Sequence, residues 1–359
     1  MPDRTAFPRG PGVLLTLAGL VVLIAGLREA GSIVVPFLLS VFLAMLGVPL
    51  LTRLRQWGVP RFLSIIMVVL AMGIVLLGLG SVVASTVSAF LDEIPRYAGR
   101  LSQLMMSLQE WLEKQGVEIA VQESIESEID RLFSREQLLL WGSGILSSLA
   151  SVLSTSVLVV LTAIFMLSEA AGLPAKFRAA FGRPGARELE FSGVLTQVHR
   201  YLIIKTVISL ITGLVLGLWV WILGVDFPVL WGLTAFLLNY IPNIGSIIAA
   251  VPPVVLGLIQ PEGGPGLSLA VVAGYLTVNI LVGSILEPTW MGERLGLSTL
   301  VVFLSLVFWG WVWGGVGMLL SVPLTMIAKI LFQHSDDLRW IATMMDKPPV
   351  ESAVPNEPG

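Results

Sequence analysis

The sequence predicts an all-α polytopic membrane protein of about eight hydrophobic segments, two of them re-entrant broken hairpins, with an amphipathic helical arm outside the bilayer. Three observations carry that reading. Of 359 residues, 55% are hydrophobic and 13% charged, roughly half the charge that covers a soluble globule. The apolar residues come in long runs without alternation; in lipid only a helix or a closed barrel satisfies its own backbone, and the runs favour helices. Two of the runs are too long for one crossing and carry helix breakers at their centres.

The runs, in order, are Val13 to Leu27, Ser32 to Leu51, Phe62 to Leu91, Leu138 to Leu167, Tyr201 to Gly224, Phe227 to Ile259, Leu267 to Leu286 and Leu297 to Phe332. Arg4 and Arg9 before the first run resemble a signal peptide, but no clear A-x-A-like cleavage site follows, so the first run reads as an uncleaved span. Arg53, Arg55 and Arg61 follow the second span, and Lys176, Arg178, Arg183, Arg187 and Arg200 follow the fourth. Short cytoplasmic loops are enriched in such cations, which puts both termini and the 169–200 connector in the cytoplasm. Residues 92–137 then fall outside, with ten Asp and Glu against five Lys and Arg.

That outer segment has helical periodicity in Leu101, Leu104, Met105, Leu108, Trp111 and Leu112, an interruption at Gln115-Gly116, and a second stripe in Val121, Ile125, Ile129 and Leu132. It reads as a two-helix arm, either packed on its own protomer, joining subunits of a homo-oligomer, or lying on lipid headgroups; the acidic balance disfavours the last. The domain plan is therefore spans in 1–91, the arm in 92–137, a span in 138–168, the basic connector in 169–200, a transport half in 201–332 and a largely disordered cytoplasmic tail in 333–359.

Phe227 to Ile259 is 33 residues, about 50 Å as one helix. Its centre reads Asn239-Tyr240-Ile241-Pro242-Asn243-Ile244-Gly245, and Pro252-Pro253 offers a second break. Proline lacks the N–H and disfavours helix at the residue before it. Leu297 to Phe332 repeats the situation over 36 residues, with Gly310, Gly314, Gly315 and Gly317 at its centre and Pro323 after them. Broken helices in inverted repeats point to a secondary-transporter site, because freed backbone groups at membrane depth must be buried or line a cavity.

Candidate pathway residues follow from these breaks: Asn239, Pro242, Asn243 and Gly245 at one, Gly314, Gly315 and Gly317 at the other, with Asn279 and Glu287 between them. Asn239 and Asn243 either repair the break or bind a polar solute. Glu287, at the end of the seventh run, is either a solvated interfacial acid or a proton or cation ligand. Lys205, near the start of the fifth, is expected to snorkel to the interface. Gly213-x-x-x-Gly217 and Gly310-x-x-x-Gly314 are expected to serve helix packing, and Trp309, Trp311 and Trp313 to anchor in the interfacial belt.

Several chemistries lack raw material. With no Cys and two His, His199 and His334, neither a Cys-ligated or three-His metal site nor a Ser-His-Asp triad is expected, and no cofactor. No phosphate-binding G-x-x-x-x-G-K-[ST] and no H-E-x-x-H are present, so neither ATP-driven transport nor zinc proteolysis has its motif. A net charge of −3 offers nothing to nucleic acid.

At Leu238-Asn239-Tyr240-Ile241-Pro242-Asn243-Ile244-Gly245, Glu287-Pro288-Thr289-Trp290-Met291-Gly292 and Gly314-Gly315-Val316-Gly317-Met318-Leu319-Leu320-Ser321-Val322-Pro323-Leu324, the chain resembles the autoinducer-2 exporter family of permeases, over about residues 10 to 335. The resemblance implies an inner-membrane protein that exports a furanone-type quorum signal or another small polar molecule. Some members are associated instead with sodium/proton exchange, and homo-oligomers, pentamers among them, are expected. Many members carry Leu-His-Pro where this chain reads Leu297-Ser298-Thr299, so no titrating His carries over. The sequence therefore predicts a secondary transporter of a small polar solute, with cation/proton antiport through Glu287 as the alternative and a non-transporting membrane scaffold as a third class.

Overall fold

The computed structural model describes residues 9–115, 135–170, 186–242, 244–291, 297–335 and 337–346. The described chain is helical throughout: α1 (Arg9–Glu29), α2 (Gly31–Gln56), α3 (Arg61–Lys114), α4 (Arg135–Ala170), α5 (Ala186–Ile222), α6 (Pro228–Leu238), α7 (Ile244–Ile259), α8 (Pro265–Ile280), a π-helical segment (Leu281–Leu286), α9 (Glu287–Met291), α10 (Thr299–Gln333) and α11 (Arg339–Met344). Among the described residues, Gly31–Gln56, Arg61–Lys114, Thr196–Ile222, Pro265–Trp290 and Thr299–Gln333 are long and apolar enough to cross a membrane. Ser154–Glu169, α6 and α7 are shorter apolar helices. The chain divides into two compact units, Leu43–Leu295 and Met1–Phe42 with Gly296–Gly359, each described by itself.

In the first unit α3 runs 54 residues without interruption, about 80 Å and far more than a bilayer needs. The expected boundary between span and arm at Asp92 is not a break. Pro95 removes one helical donor, but the Leu, Met, Gln, Glu and Arg residues around it are strong helix formers and carry the helix through. The arm's second stripe, Val121 to Leu132, lies outside the described residues. The apolar start of α3 packs on α4, with Val68, Ala163 and Leu167 buried beside Ala44 and Leu54 of α2, and the Arg61 guanidinium donates to the Ser168 carbonyl.

Helix α5 is the hub of this unit, touching α6, α8, the π segment and α9. It begins at Ala186, so the second half of the 169–200 connector is helix. Its Gly213-x-x-x-Gly217 face receives α6 at Gly232: a Cβ on Gly213 would lie 2.7 Å from the Gly232 oxygen and from Phe236 Cβ. Gly224, at φ 72°, lets the chain leave α5 in the left-handed conformation that glycine adopts without penalty. Tyr97, Leu216, Val220, Trp231, Ala235, Ala249, Leu256 and Tyr275 form one buried cluster joining α3, α5, α6, α7 and α8.

The two over-long runs are interrupted where the breakers predict. Between α6 and α7 the chain leaves the helix at residues 239–242, and a Cβ on Gly245 would fall 1.8 Å from the Leu238 oxygen, so only glycine fits there. The second expected break, at Pro252-Pro253, does not occur; both prolines lie inside α7. Their fixed φ is itself helical, so they remove donors without forcing the chain out.

In the other unit α10 is two helices merged across a kink, with Trp313 at φ −130°, ψ 19° and Gly314 at φ 62°, ψ −143°. A Cβ on Gly317 would lie 1.9 Å from the Trp309 oxygen, nearly the relation of Gly245 to Leu238. The Trp309 indole Nε1–H donates to the Thr325 hydroxyl at 3.1 Å; sixteen positions apart in a straight helix would be about 24 Å, so the two halves of α10 lie side by side. Gly314 therefore serves the turn and not helix packing. Within the 333–359 segment, Arg339–Met344 forms α11, with Ala342 buried.

Candidate transport site

One face of α5 gathers the polar groups of the first unit. Tyr201, Lys205 and Ser209 recur every four residues and so share that face, and all three are buried. Lys205 Nζ donates to Glu287 Oε1 at 2.8 Å, with side-chain exposures of 3% and 27%. The Asn239 amide donates to the Ser209 hydroxyl at 3.0 Å, and the Tyr240 hydroxyl donates to Thr206 Oγ1 at 2.8 Å. The α6–α7 break and the end of the π segment are thus both fastened to two adjacent turns of α5.

The expected snorkelling of Lys205 is overturned. A lysine four residues into an apolar run could reach the interface, but here a carboxylate 82 residues later meets it inside the protein in a charge-assisted hydrogen bond. Sequence reasoning also missed Ser209, Thr206 and Tyr240. The available signal was the recurrence of Tyr201, Lys205 and Ser209 on one face of an otherwise apolar helix.

Glu287 owes its position to the π segment. Its backbone N–H bonds the Val282 carbonyl, one residue further back than an α-helix allows. Pro288 follows, and a proline in a regular helix would collide with the carbonyl four residues earlier; the wider turn relieves that contact. A π turn takes up an extra residue, which brings Asn279, half-buried and eight residues before Glu287, closer to its face. Of the remaining expected pathway residues, Pro242 is at the break and Gly245 is buried against Leu238. Asn243 lies outside the described residues. Gly314, Gly315 and Gly317 belong to the other unit: Gly314 makes the kink, Gly317 the close approach, and Gly315 has open space where a Cβ would go.

The tryptophans divide. Trp311 is exposed, with the Arg28 guanidinium 5.0 Å from its ring centroid, as an interfacial anchor would be. Trp309 and Trp313 stack on each other at 4.9 Å, and Trp313 donates to the Leu27 carbonyl at 2.9 Å, so both are tied to protein groups. Among the described residues no cluster of His, Cys, Asp or Glu could hold a metal ion. A cleft of about 330 Å³ between α3 and α4 is lined by apolar residues such as Leu77, Val157 and Leu161, with Ser156 the one polar side chain among them.

Long apolar helices and, within one unit, a buried ion pair beside an interrupted helix are the features of a multi-pass membrane protein. The chain matches the AI-2E family transporter over residues 17–337. It is 40% identical over 338 residues to the AI-2 transport protein TqsA of Escherichia coli K12, covering 94% of this chain and 96% of that one. It is 38% identical over 354 residues to YhhT of the same organism, covering 99% and 98%. A relative in Haemophilus influenzae is 39% identical over 337 residues, covering 92% and 95%. The chain belongs to the AI-2E family of transporters, and it is a transporter and not an enzyme.

Proposed function

We propose that the protein is a secondary transporter that exports a small, uncharged polar solute, of the kind named in its relative the AI-2 transport protein, across the bacterial inner membrane. The observation that carries this is the Lys205–Glu287 pair. Its charges cancel, so what the face of α5 offers a solute is hydroxyl and amide groups from Thr206, Ser209, Tyr240 and Asn239. In this reading both broken segments are re-entrant hairpins, the termini are cytoplasmic, Asn243 and Asn279 belong to the pathway, and the Gly314 to Gly317 turn is a pathway element of its own unit. The apolar side chains that the arm exposes, Leu108 and Trp111, support assembly of a homo-oligomer.

A second reading, sodium/proton antiport, is favoured by Glu287 itself: a carboxylate that keeps partial exposure beside a π turn could exchange Lys205 for a cation or proton. Proteoliposomes separate the two. Autoinducer-2 efflux by the wild type that is lost in Asn239→Ala and insensitive to sodium supports the carrier. A sodium-driven pH change, read by an internal dye and abolished in Glu287→Gln, makes antiport primary. Neither flux in the wild type refutes both.

A further inference from the structure

The second unit contains a buried cation that the transport site does not use. Lys329 lies in the second half of α10, its side chain 9% exposed, and forms an ion pair with Asp346, 44% exposed, just beyond α11. One residue earlier, the Met345 carbonyl accepts from the Ser298 backbone N–H at 2.9 Å, and Ser298 is the N-cap of α10. Two consecutive residues therefore touch both ends of the broken helix. Ser298 lies 16 positions before Gly314 and Lys329 15 after it, so these contacts close the end of α10 opposite its turn. The Trp309–Thr325 hydrogen bond ties the halves at mid-height.

We propose that Leu338 to Asp346 is a releasable strap, which holds the two halves of α10 together until the Lys329–Asp346 contact breaks. The contact is asymmetric in the way release requires. Lys329 is fixed in the protein, whereas Asp346 is half in solvent and follows a six-residue helix too short to be stable by itself. The backbone bond to Ser298 adds direction, because α11 cannot leave without freeing both ends of α10 together. Separation of the halves then requires prior release of the strap, which makes the C-terminal segment a regulator of the second broken segment.

The test reads geometry, not flux. The chain has no cysteine, so labels go only where they are placed. Spin labels on Thr299→Cys/Gln333→Cys report the separation of the two ends of α10. In a separate protein, reaction of Ala342→Cys, a position 1% exposed, with a polar maleimide reports departure of α11. The parent should give one short distance and slow labelling. Asp346→Asn should add a longer distance and speed labelling roughly tenfold, as expected for loss of a charged hydrogen bond. Asp346→Glu, which keeps the carboxylate, should match the parent in both and separates loss of charge from a general fold defect. If Asp346→Asn matches the parent in either readout, or Asp346→Glu behaves like Asp346→Asn, the strap is overturned.

Discussion

The Lys205 ammonium lies 2.8 Å from the Glu287 carboxylate, and the lysine is the more deeply buried of the two, at 3% against 27% exposed. That difference sets what each substitution does. Removing the acid strands a charge deep in the protein, whereas removing the base leaves an acid that still reaches water.

Glu287→Gln is therefore expected to destabilise by about 3–5 kcal/mol, the usual result of orphaning a buried ion. Lys205→Met should cost less, about 1–3 kcal/mol. The double variant Lys205→Met/Glu287→Gln should recover most of the loss. Denaturant titrations of the four proteins complete the cycle, and additive single costs would mean that the two groups do not interact.

The two close approaches at the turns make a paired prediction. Alanine at Gly245 or Gly317 would put a methyl group inside the contact distance of a backbone oxygen. Each should cost about 3 kcal/mol and lower transport. Gly315→Ala meets nothing within 4 Å and should stay within about 0.5 kcal/mol of the parent. Thermal unfolding of the three variants checks the order.

Two tyrosines should respond oppositely to loss of their hydroxyls. Tyr97 donates to Asp226 at 2.8 Å, and the Asp226 backbone N–H is held by the Gln260 side chain. Tyr97→Phe should cost about 1 kcal/mol and raise hydrogen exchange around residues 223–231. The Tyr275 hydroxyl is buried with no partner among the described residues, so Tyr275→Phe should be neutral or stabilising. Equal effects from both would contradict the hydrogen-bond assignment.

Much of the fold was legible because bilayer thickness limits helix length: runs of 33 and 36 residues had to be interrupted, and Pro242, Gly245, Gly314 and Gly317 marked where. Pro252-Pro253 misled because a proline tolerated in helical φ looks the same in sequence as one that ends a helix. The helix runs on through Asp92 because a change from apolar to polar residues alters the surroundings of a helix without ending it. Lys205 was beyond reach of local reasoning, since its fate depended on a partner 82 residues away, and the π turn that positions Glu287 has no residue pattern of its own. The Lys329–Asp346 pair was hidden for the same reason, since it joins α10 to a residue 17 positions later.

The face of α5 bearing Lys205 and Ser209 is the solute path in this reading, and Ser209 is fully buried in the present conformation. The most direct test is to place Ser209→Cys in the naturally cysteine-free chain and expose it to a small polar thiol reagent, with Ile208→Cys, equally buried, as a neighbour on another face. Reaction of Ser209→Cys, slowed by autoinducer-2 and blocking its efflux, while Ile208→Cys stays unreactive, is the expected result. Two cysteines that react alike, or a Ser209→Cys that never reacts while efflux continues, would remove this face from the pathway.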